Sequence, residues 1–204
     1  MPTKISVELG NVQKTLFRPL WGRAVETKKE NPLLVDQTAV EILEKVDYDF
    51  STIAQNINPL SQAAWIMRSI CIDEVICSRL ARNPDATIVN LGCGLDTTFD
   101  RVDNGLLTWY DLDLPDVIQL REKFIPQSDR RKFIASSFLD EDWLDKIGKP
   151  VEPLFIAAGV FYYFEENEIR QFLLRLTKHF PGAEIFLDVS SPYGVKVADK
   201  TAIE

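Results

Sequence analysis

The sequence predicts a doubly wound α/β fold with a mostly parallel sheet and an N-terminal helical cap. Beyond Ala86, short apolar runs alternate with helix-like stretches, which is typical of parallel strands covered on both faces. The first run ends in Gly92-Cys93-Gly94, and the second ends in Tyr110-Asp111-Leu112-Asp113. Ligands bind such sheets beyond the carboxyl ends of the strands, so these two segments are the first candidates for a site.

Length and the change of pattern near residue 86 predict the domain organisation. A chain of 204 residues suffices for about one domain, since domains average ~150 residues. Helical spacing dominates before residue 86, and alternating strands and helices follow it. We therefore expect a helical cap over residues 1–85 and a ligand-binding α/β core over residues 86–204, in one compact unit.

Two helices are predicted in the cap. Asn31-Pro32 is a helix-start signal, and apolar residues at helical spacing from Ala39 to Val46 extend the predicted helix over residues 33–46. A longer helix is expected to begin with Ser61 as its N-cap and to end at Asn83-Pro84.

The core is expected to hold five strands and four helices in alternation. The strands are predicted at residues 87–91, 107–112, 132–136, 154–160 and 184–189. The helices are predicted at residues 97–102, 116–124, 142–147 and 165–180.

Charge and composition favour a small-molecule partner. The chain has 31 acidic and 23 basic residues and a net charge of -8, which disfavours nucleic acid and anionic membranes. The apolar runs are shorter than the ~20 residues that cross a bilayer, and no leader opens the chain, so we expect a cytoplasmic protein.

The three cysteines form no CxxC pair and are interpreted as reduced thiols, and no metal site is expected. The basic residues are expected to form a solvated face where they cluster, at Arg121, Lys123, Arg130, Arg131 and Lys132.

The glycine segment is a candidate ligand loop. Gly92 and Gly94 allow a tight turn that brings the backbone close to a ligand, at the start of a helix with free N–H groups. A dinucleotide fingerprint would need glycine or alanine at position 97, where this chain has Thr97. This favours a cofactor without pyrophosphate. The alternative is that the glycines only form a tight strand-to-helix turn.

Two aspartates lie at the end of the second strand, about 20 residues beyond the glycine loop, where an acidic side chain can bind a ribose. An ionised carboxylate only accepts hydrogen bonds, which suits a vicinal diol. Both Asp111 and Asp113 meet this condition. The alternative for each is a solvated loop carboxylate or an N-cap before Pro115.

Three segments in this order resemble the leucine carboxyl methyltransferase family, and within it the tetracenomycin-type polyketide O-methyltransferases. They are Val89 to Thr97, Asp111 to Pro115, and Ala157 to Tyr163. The resemblance covers about residues 15–190. It implies a class I, Rossmann-like methyltransferase fold with S-adenosyl-L-methionine as cofactor and S-adenosyl-L-homocysteine as product.

The resemblance also implies roles for individual residues. The family's glycine loop falls on Gly92 and Gly94, and its ribose-binding aspartate falls on Asp113 rather than Asp111. Arg68 matches an arginine that binds the carboxylate of the cofactor, a group that a guanidinium can hold through two hydrogen bonds. The alternative is that Arg68 pairs on the surface with an acid of its own helix, Asp73 or Glu74.

Further positions of the family's site are less closely matched. Arg23 resembles a second cofactor contact, and Ser137 and Phe138 match the positions that embrace the adenine. Ala158 stands in the cofactor site where family members often have an acid, and Ser137 stands where an aspartate often reaches the adenine amino group.

The family's fold usually continues beyond the fifth strand with another helix and two further strands. Either this chain is truncated at Glu204 or those strands are absent.

The resemblance implies O-methylation of a carboxylate or acidic hydroxyl on a small, polyketide-type metabolite. Methyl transfer from a sulfonium is an in-line displacement that depends mainly on positioning. The only histidine, His179, lies at a predicted helix end, where it complements the helix dipole. Tyr162 and Tyr163 follow the fourth strand and either orient the acceptor or pack in the core.

Two other functions compete with this prediction. A nicotinamide (NAD) dehydrogenase shares the sheet and the acidic ribose contact but requires the third glycine. A noncatalytic module that binds S-adenosylmethionine is suggested by Ala158 and the early C-terminus. Sequence patterns identify neither the methyl acceptor nor the oligomeric state.

Overall fold

The computed structural model describes residues 4–6, 11–189 and 191. Its main sheet has five parallel strands in the order β5-β4-β3-β6-β7. These strands are β3 (Thr87–Leu91), β4 (Thr108–Asp113), β5 (Arg131–Ala135), β6 (Leu154–Ala157) and β7 (Glu184–Leu187). The strand order reverses between β3 and β6, where Leu91 is in register with Ala157. This topology confirms the predicted doubly wound, parallel α/β fold, and in such a fold ligands are expected to bind beyond the ends of β3 and β6.

Eight α-helices and a small second sheet complete the described part of the chain. The helices of the N-terminal part are α1 (Asn11–Thr27), α2 (Gln37–Lys45), α3 (Ser51–Asn56) and α4 (Pro59–Arg82). Those of the core are α5 (Thr98–Val102), α6 (Pro115–Glu122), α7 (Leu144–Ile147) and α8 (Glu166–His179). Strands β1 (Ile5–Ser6) and β2 (Val46–Asp47) pair in parallel as the small sheet.

Alternate residues of the central strands enter apolar clusters on opposite faces of the main sheet. Val89 and Phe155 face α7 and α8, whereas Ile88 and Ile156 face α4 and α5. Because both faces of these strands are buried, nearly every position must be apolar. This explains why the strands are continuous apolar runs in the sequence.

The N-terminal helices have an apolar cluster of their own that extends into the core. Phe17 and Leu20 of α1 pack there with residues of α2 and α3. The same cluster takes in Leu95, beside the glycine loop, and Leu120 of α6. The helical part therefore packs directly against the segment that follows β3.

Two predicted helix starts are wrong by several residues. Helix α2 begins at Gln37 because the carboxylate of Asp36 caps it, accepting a 2.9 Å hydrogen bond from the backbone N–H of Ala39. Helix α4 is capped by Asn58, with Pro59 as its first residue, and not by Ser61. Its predicted end before Asn83-Pro84 is confirmed.

Strands β6 and β7 are shorter than predicted. The prediction continued them to Val160 and Val189, but they end at Ala157 and Leu187. Gly159 has φ +75°, so the chain has already turned there. The apolar residues after these strands belong to turns at the carboxyl edge of the sheet.

Some elements were not predicted. Helix α1 contains Pro19, a residue that argues against a helix interior, and α3 has only 6 residues. The β1–β2 pair has two residues per strand, too few to give a periodic pattern. No helix within the described residues is long and apolar enough to cross a membrane.

Candidate functional site

The glycine loop follows β3 in a conformation that favours glycine. Gly92 has φ +60° and Gly94 has φ +47°, both in the left-handed region. A Cβ atom at Gly92 would lie 2.6 Å from Cγ2 of Val160, and one at Gly94 would lie 2.9 Å from Cδ2 of Leu16. Both glycines are therefore required by the backbone turn and by the side chains that pack on it. The loop is fixed between the segment after β6 and helix α1.

Asp113 ends β4 and lies against this loop. One carboxylate oxygen accepts a 2.7 Å hydrogen bond from the backbone N–H of Gly94, and the other accepts a 2.8 Å bond from Leu114 N–H. Burial raises the pKa of Asp113 above its ordinary value, against the effect of these two donors. Each oxygen keeps capacity for a further hydrogen bond, so the carboxylate can accept from a diol.

Asp111 lies in the interior of the protein and binds other side chains of the chain itself. Its side chain is fully buried and accepts hydrogen bonds from Trp109 Nε1 at 2.9 Å and Asn90 Nδ2 at 3.1 Å. Its other oxygen accepts from Arg121 at 2.8 Å and from Arg131 at 3.1 Å. It is neither a solvated loop carboxylate nor an N-cap. Of the two aspartates, Asp113 is the one placed beside the loop with unused acceptor capacity.

The prediction of a solvated basic face is wrong for two of its five members. The side chains of Arg121 and Arg131 are 0% and 3% exposed and share the carboxylate of Asp111. Arg121 also donates a 2.9 Å hydrogen bond to the carbonyl oxygen of Gly94. Sequence analysis missed Arg121 as a supporting residue of the loop. No signal in the sequence distinguishes it from the solvated basic residues around it.

Arg23 supports the other end of the loop. Its Nε donates to the fully buried carboxylate of Asp36 at 2.8 Å, and its Nη2 donates to the carbonyl of Leu95 at 3.1 Å. Arg101 donates to the same Asp36 oxygen at 2.9 Å and holds Asp73 through two further bonds of 2.7 and 2.8 Å. These four charged side chains tie α1, α2, α4 and α5 together beneath the glycine loop.

Arg68 lies on α4 and forms an ion pair that the sequence analysis did not consider. Its Nη1 donates to Oδ2 of Asp188 at 2.8 Å, rather than to either acid of its own helix. The backbone N–H of Gly159 donates to Oδ1 of Asp188 at 2.7 Å. Desolvation alone would lower the pKa of Arg68, but Asp188 and, to a smaller extent, Tyr162 together outweigh it and hold the pKa above its ordinary value. Arg68 is thus a fixed cation at the ends of β6 and β7.

Tyr162 and Tyr163 lie in the short 3₁₀ turn Phe161–Tyr163, just beyond β6. They are 51% and 69% exposed, so neither packs in the core. The Tyr162 hydroxyl lies beside Arg68, close to Gly159. Burial of this phenol raises its pKa, although the charge of Arg68 acts in the opposite sense. The group is therefore protonated near neutral pH and can donate a hydrogen bond.

Ser137 and Phe138 are the second and third residues after β5. Ser137 Oγ accepts a 3.2 Å hydrogen bond from Leu139 N–H. Phe138 is only 5% exposed, and its ring lies among the rings of Phe161, Phe164 and Phe172. Little of the Phe138 ring is left for a ligand to contact.

The donors and acceptors at this edge suit an adenosyl amino acid. Asp113, at the end of β4, offers acceptor capacity for a diol, and Arg68 offers a cation at the ends of β6 and β7, two to three strands away in the sheet. No described residues form a group of three or more His, Cys, Asp or Glu that would hold a metal ion. His179 is the last residue of α8, where its Nδ1 lies 3.2 Å from the carbonyl of Arg175. It serves the helix end and lies outside this site.

Comparison with known proteins supports the same interpretation. Residues 17–177 match the leucine carboxyl methyltransferase family model. The chain is 34% identical over 194 residues to the tetracenomycin polyketide synthesis O-methyltransferase TcmP of Streptomyces glaucescens, covering 95% of this chain and 71% of that protein. It is 29% identical to the S-adenosyl-L-methionine-dependent methyltransferase dpfgK of Gibberella zeae, covering 87% of this chain and 64% of that protein. The chain thus spans about two thirds of the length of these relatives.

A solved structure shows the same fold. The magnesium protoporphyrin IX methyltransferase of Synechocystis, crystallised with bound SAH, superposes with a TM-score of 0.51 at 14% identity, over 72% of this chain and 67% of that one. This likeness confirms the class I, Rossmann-like methyltransferase fold. The family match over residues 17–177 and the 34% identity to TcmP show that the chain belongs to the leucine carboxyl methyltransferase family of S-adenosylmethionine-dependent enzymes, as its three motifs indicate.

Proposed function

We propose that this chain transfers the methyl group of S-adenosyl-L-methionine to a carboxylate or acidic hydroxyl of a small, polyketide-type metabolite. The observation that carries the proposal is the placement of Asp113, the glycine loop and Arg68 along one edge of the sheet, in a chain of this family. The methyltransferase activity rests on the family and on both curated relatives. The class of acceptor rests on TcmP, whose name states a polyketide pathway and an O-methyltransferase.

The proposed binding roles come from the family resemblance, and the environment of each side chain supports or modifies them. Asp113 accepts the two ribose hydroxyls while its position is held by the N–H of Gly94. Arg68 donates to the carboxylate of the cofactor. The backbone beside Ser137 and Phe138 borders the adenine, and the residue at 158 is an alanine that adds no charge. Arg23 acts indirectly, because its donors hold Asp36 and Leu95 of the chain itself.

The reaction requires positioning more than acid or base catalysis. When bound, the sulfonium of the cofactor supplies an electrophilic methyl group, and a carboxylate acceptor is already a nucleophile. The exposed rings of Tyr162 and Tyr163, with centroids 4.8 Å apart, offer an apolar surface to the acceptor. The protonated hydroxyl of Tyr162 can donate to an acceptor oxygen that is not attacking. Orientation of this kind supplies up to ~7–11 kcal/mol in well-aligned reactions.

Further parts of the proposal concern partners, location and domains. The acceptor is a small molecule and not a nucleic acid, which the net charge of -8 and the burial of Arg121 and Arg131 support. The three cysteines have no disulfide partner, which supports a reducing, cytoplasmic location. We retain the division into a cap over residues 1–85 and an α/β core over residues 86–204.

A radiolabel experiment tests the function. The chain, and a version extended to the full length of its relatives, is incubated with methyl-labelled S-adenosylmethionine and panels of carboxylic acids, phenols, amines and proteins. We expect label on oxygen of a small acid or phenol. Label only on nitrogen or on protein would overturn the acceptor class. Tight S-adenosylhomocysteine binding without transfer to any panel, in the extended version too, would instead support the noncatalytic binding module.

A further inference from the structure

The Arg68–Asp188 pair lies at the open edge of the sheet. Their side chains are 19% and 29% exposed, so both keep contact with solvent. Asp188 directly follows β7, and its carboxylate is fixed from two sides by Arg68 and by the backbone N–H of Gly159. This fixed arrangement differs from a mobile surface ion pair, in which two long side chains must be ordered for little gain.

Both partners keep unused hydrogen-bonding capacity. A carboxylate has about four acceptor positions, and each oxygen of Asp188 takes one of the two hydrogen bonds described here. A guanidinium has five N–H donors, of which Arg68 uses one on Nη1 for Asp188 and one for the neighbouring Tyr162 hydroxyl. A ligand can therefore add a donor to Asp188 and an acceptor to Arg68 without breaking the pair.

A cation and an anion held 2.8 Å apart have a specific complement. The head of an α-amino acid carries a carboxylate and an ammonium group on one carbon atom. Its negative group can therefore face the arginine while its positive group faces the aspartate. Asp188 accepts from the N–H of Gly159, the residue after Ala158, so it brings a negative charge close to a position whose own side chain is uncharged. The pair is thus suited to a zwitterion rather than to a simple anion.

We propose that Asp188 binds the ammonium group in the amino-acid head of the cofactor, beside Arg68, whose role on the carboxylate is part of the proposed function. This inference rests on the proposed function. It differs from a role in which Asp188 only neutralises Arg68. In that case Asp188 would compete with the carboxylate of the ligand, and removing its charge would strengthen binding.

Calorimetry with three ligands tests the assignment. S-adenosylhomocysteine has both charged groups, its desamino analogue has only the carboxylate, and 5′-methylthioadenosine has neither. Asp188→Asn keeps the size of the side chain and one acceptor oxygen. We expect it to weaken S-adenosylhomocysteine about 10-fold or more, since one charge-assisted hydrogen bond is lost, and to change the other two ligands less than about twofold. Asp129→Asn, an exposed acid elsewhere, controls for the change of net charge.

The possible results separate the hypotheses. Tighter or unchanged S-adenosylhomocysteine binding by Asp188→Asn would overturn the inference, as would an equal loss for 5′-methylthioadenosine, which would indicate a general effect on the fold. Arg68→Ala should weaken both carboxylate-bearing ligands and leave 5′-methylthioadenosine unchanged. Failure of the unmodified chain to bind S-adenosylhomocysteine would overturn the proposed function itself, which is a different outcome from a defect confined to the variants.

Discussion

Exchanging Asp111 and Asp113 for asparagine separates a residue that supports the fold from one that binds the ligand. In Asp111→Asn, the guanidinium groups of Arg121 and Arg131 lose their shared carboxylate in an interior where both are almost fully buried. Breaking a buried pair costs about 3–5 kcal/mol, and a domain has only about 5–15 kcal/mol of stability in total. We therefore expect this variant to lose about a fifth or more of the free energy of unfolding.

Asp113→Asn should have the opposite pattern. Its two partners in the chain are backbone N–H groups, and the asparagine oxygen can still accept from one of them. The cost in stability is then about 1 kcal/mol. Loss of a charge-assisted hydrogen bond to the ribose costs about 1.5–3 kcal/mol, which weakens the cofactor about 10- to 150-fold.

Urea unfolding and calorimetric titration with S-adenosylhomocysteine measure the two quantities. The pH provides a further check, because burial raises the pKa of Asp113 and protonation removes acceptor capacity. Affinity should therefore begin to fall, as the pH is lowered, at a higher pH than for an ordinary aspartate, and Asp113→Asn should lack this dependence. Equal losses of stability in both variants, or unchanged affinity in Asp113→Asn, would refute the reasoning.

Two further predictions concern the glycine loop and the cysteines. Gly92→Ala should lower the free energy of unfolding by about 2–5 kcal/mol, because positive φ and the overlap with a neighbouring side chain both add strain; Gly105→Ala, with positive φ but open space, should cost only about 1–2 kcal/mol. Denaturant titration compares the two, and similar losses would refute the overlap. A thiol reagent at pH 8 should modify the exposed Cys71 and Cys77 quickly, whereas burial raises the pKa of Cys93 well above its ordinary value. Fast reaction of all three thiols in the folded chain would contradict this.

Sequence patterns predicted the elements that are buried to the same extent along their whole length. The central strands are buried on both faces, so the continuous apolar run from Leu154 identified β6 directly. The glycine loop was also visible, because its backbone turn restricts the residue type at Gly92. Helix α1 was missed because Pro19 argues against a helix and packing against its neighbours overrides that local preference.

The pairing of charges was much harder to predict. In the sequence, Arg121 and Arg131 cannot be distinguished from solvated basic residues. Burial of a charged side chain can be inferred only when its oppositely charged partner is known. Their shared partner Asp111 is ten and twenty residues away, and Arg68 is separated from Asp188 by 120 residues. Only the three-dimensional fold brings these groups together. The sequence therefore indicated the candidate site by its loops but not by the charges that hold those loops.

The charged group beneath the glycine loop limits how this sequence can evolve. Arg23, Asp36 and Arg101 are buried members of one network, with Asp73 at its edge. Substituting Asp36 leaves Arg23 without an opposite charge in the interior, at a cost of about 3–5 kcal/mol, which is a large part of the ~5–15 kcal/mol that stabilises a domain. A uniformly apolar replacement can be as stable, but it requires several changes at once. We expect these four positions to be inherited as a set, even among descendants whose acceptor-binding tyrosines have diverged.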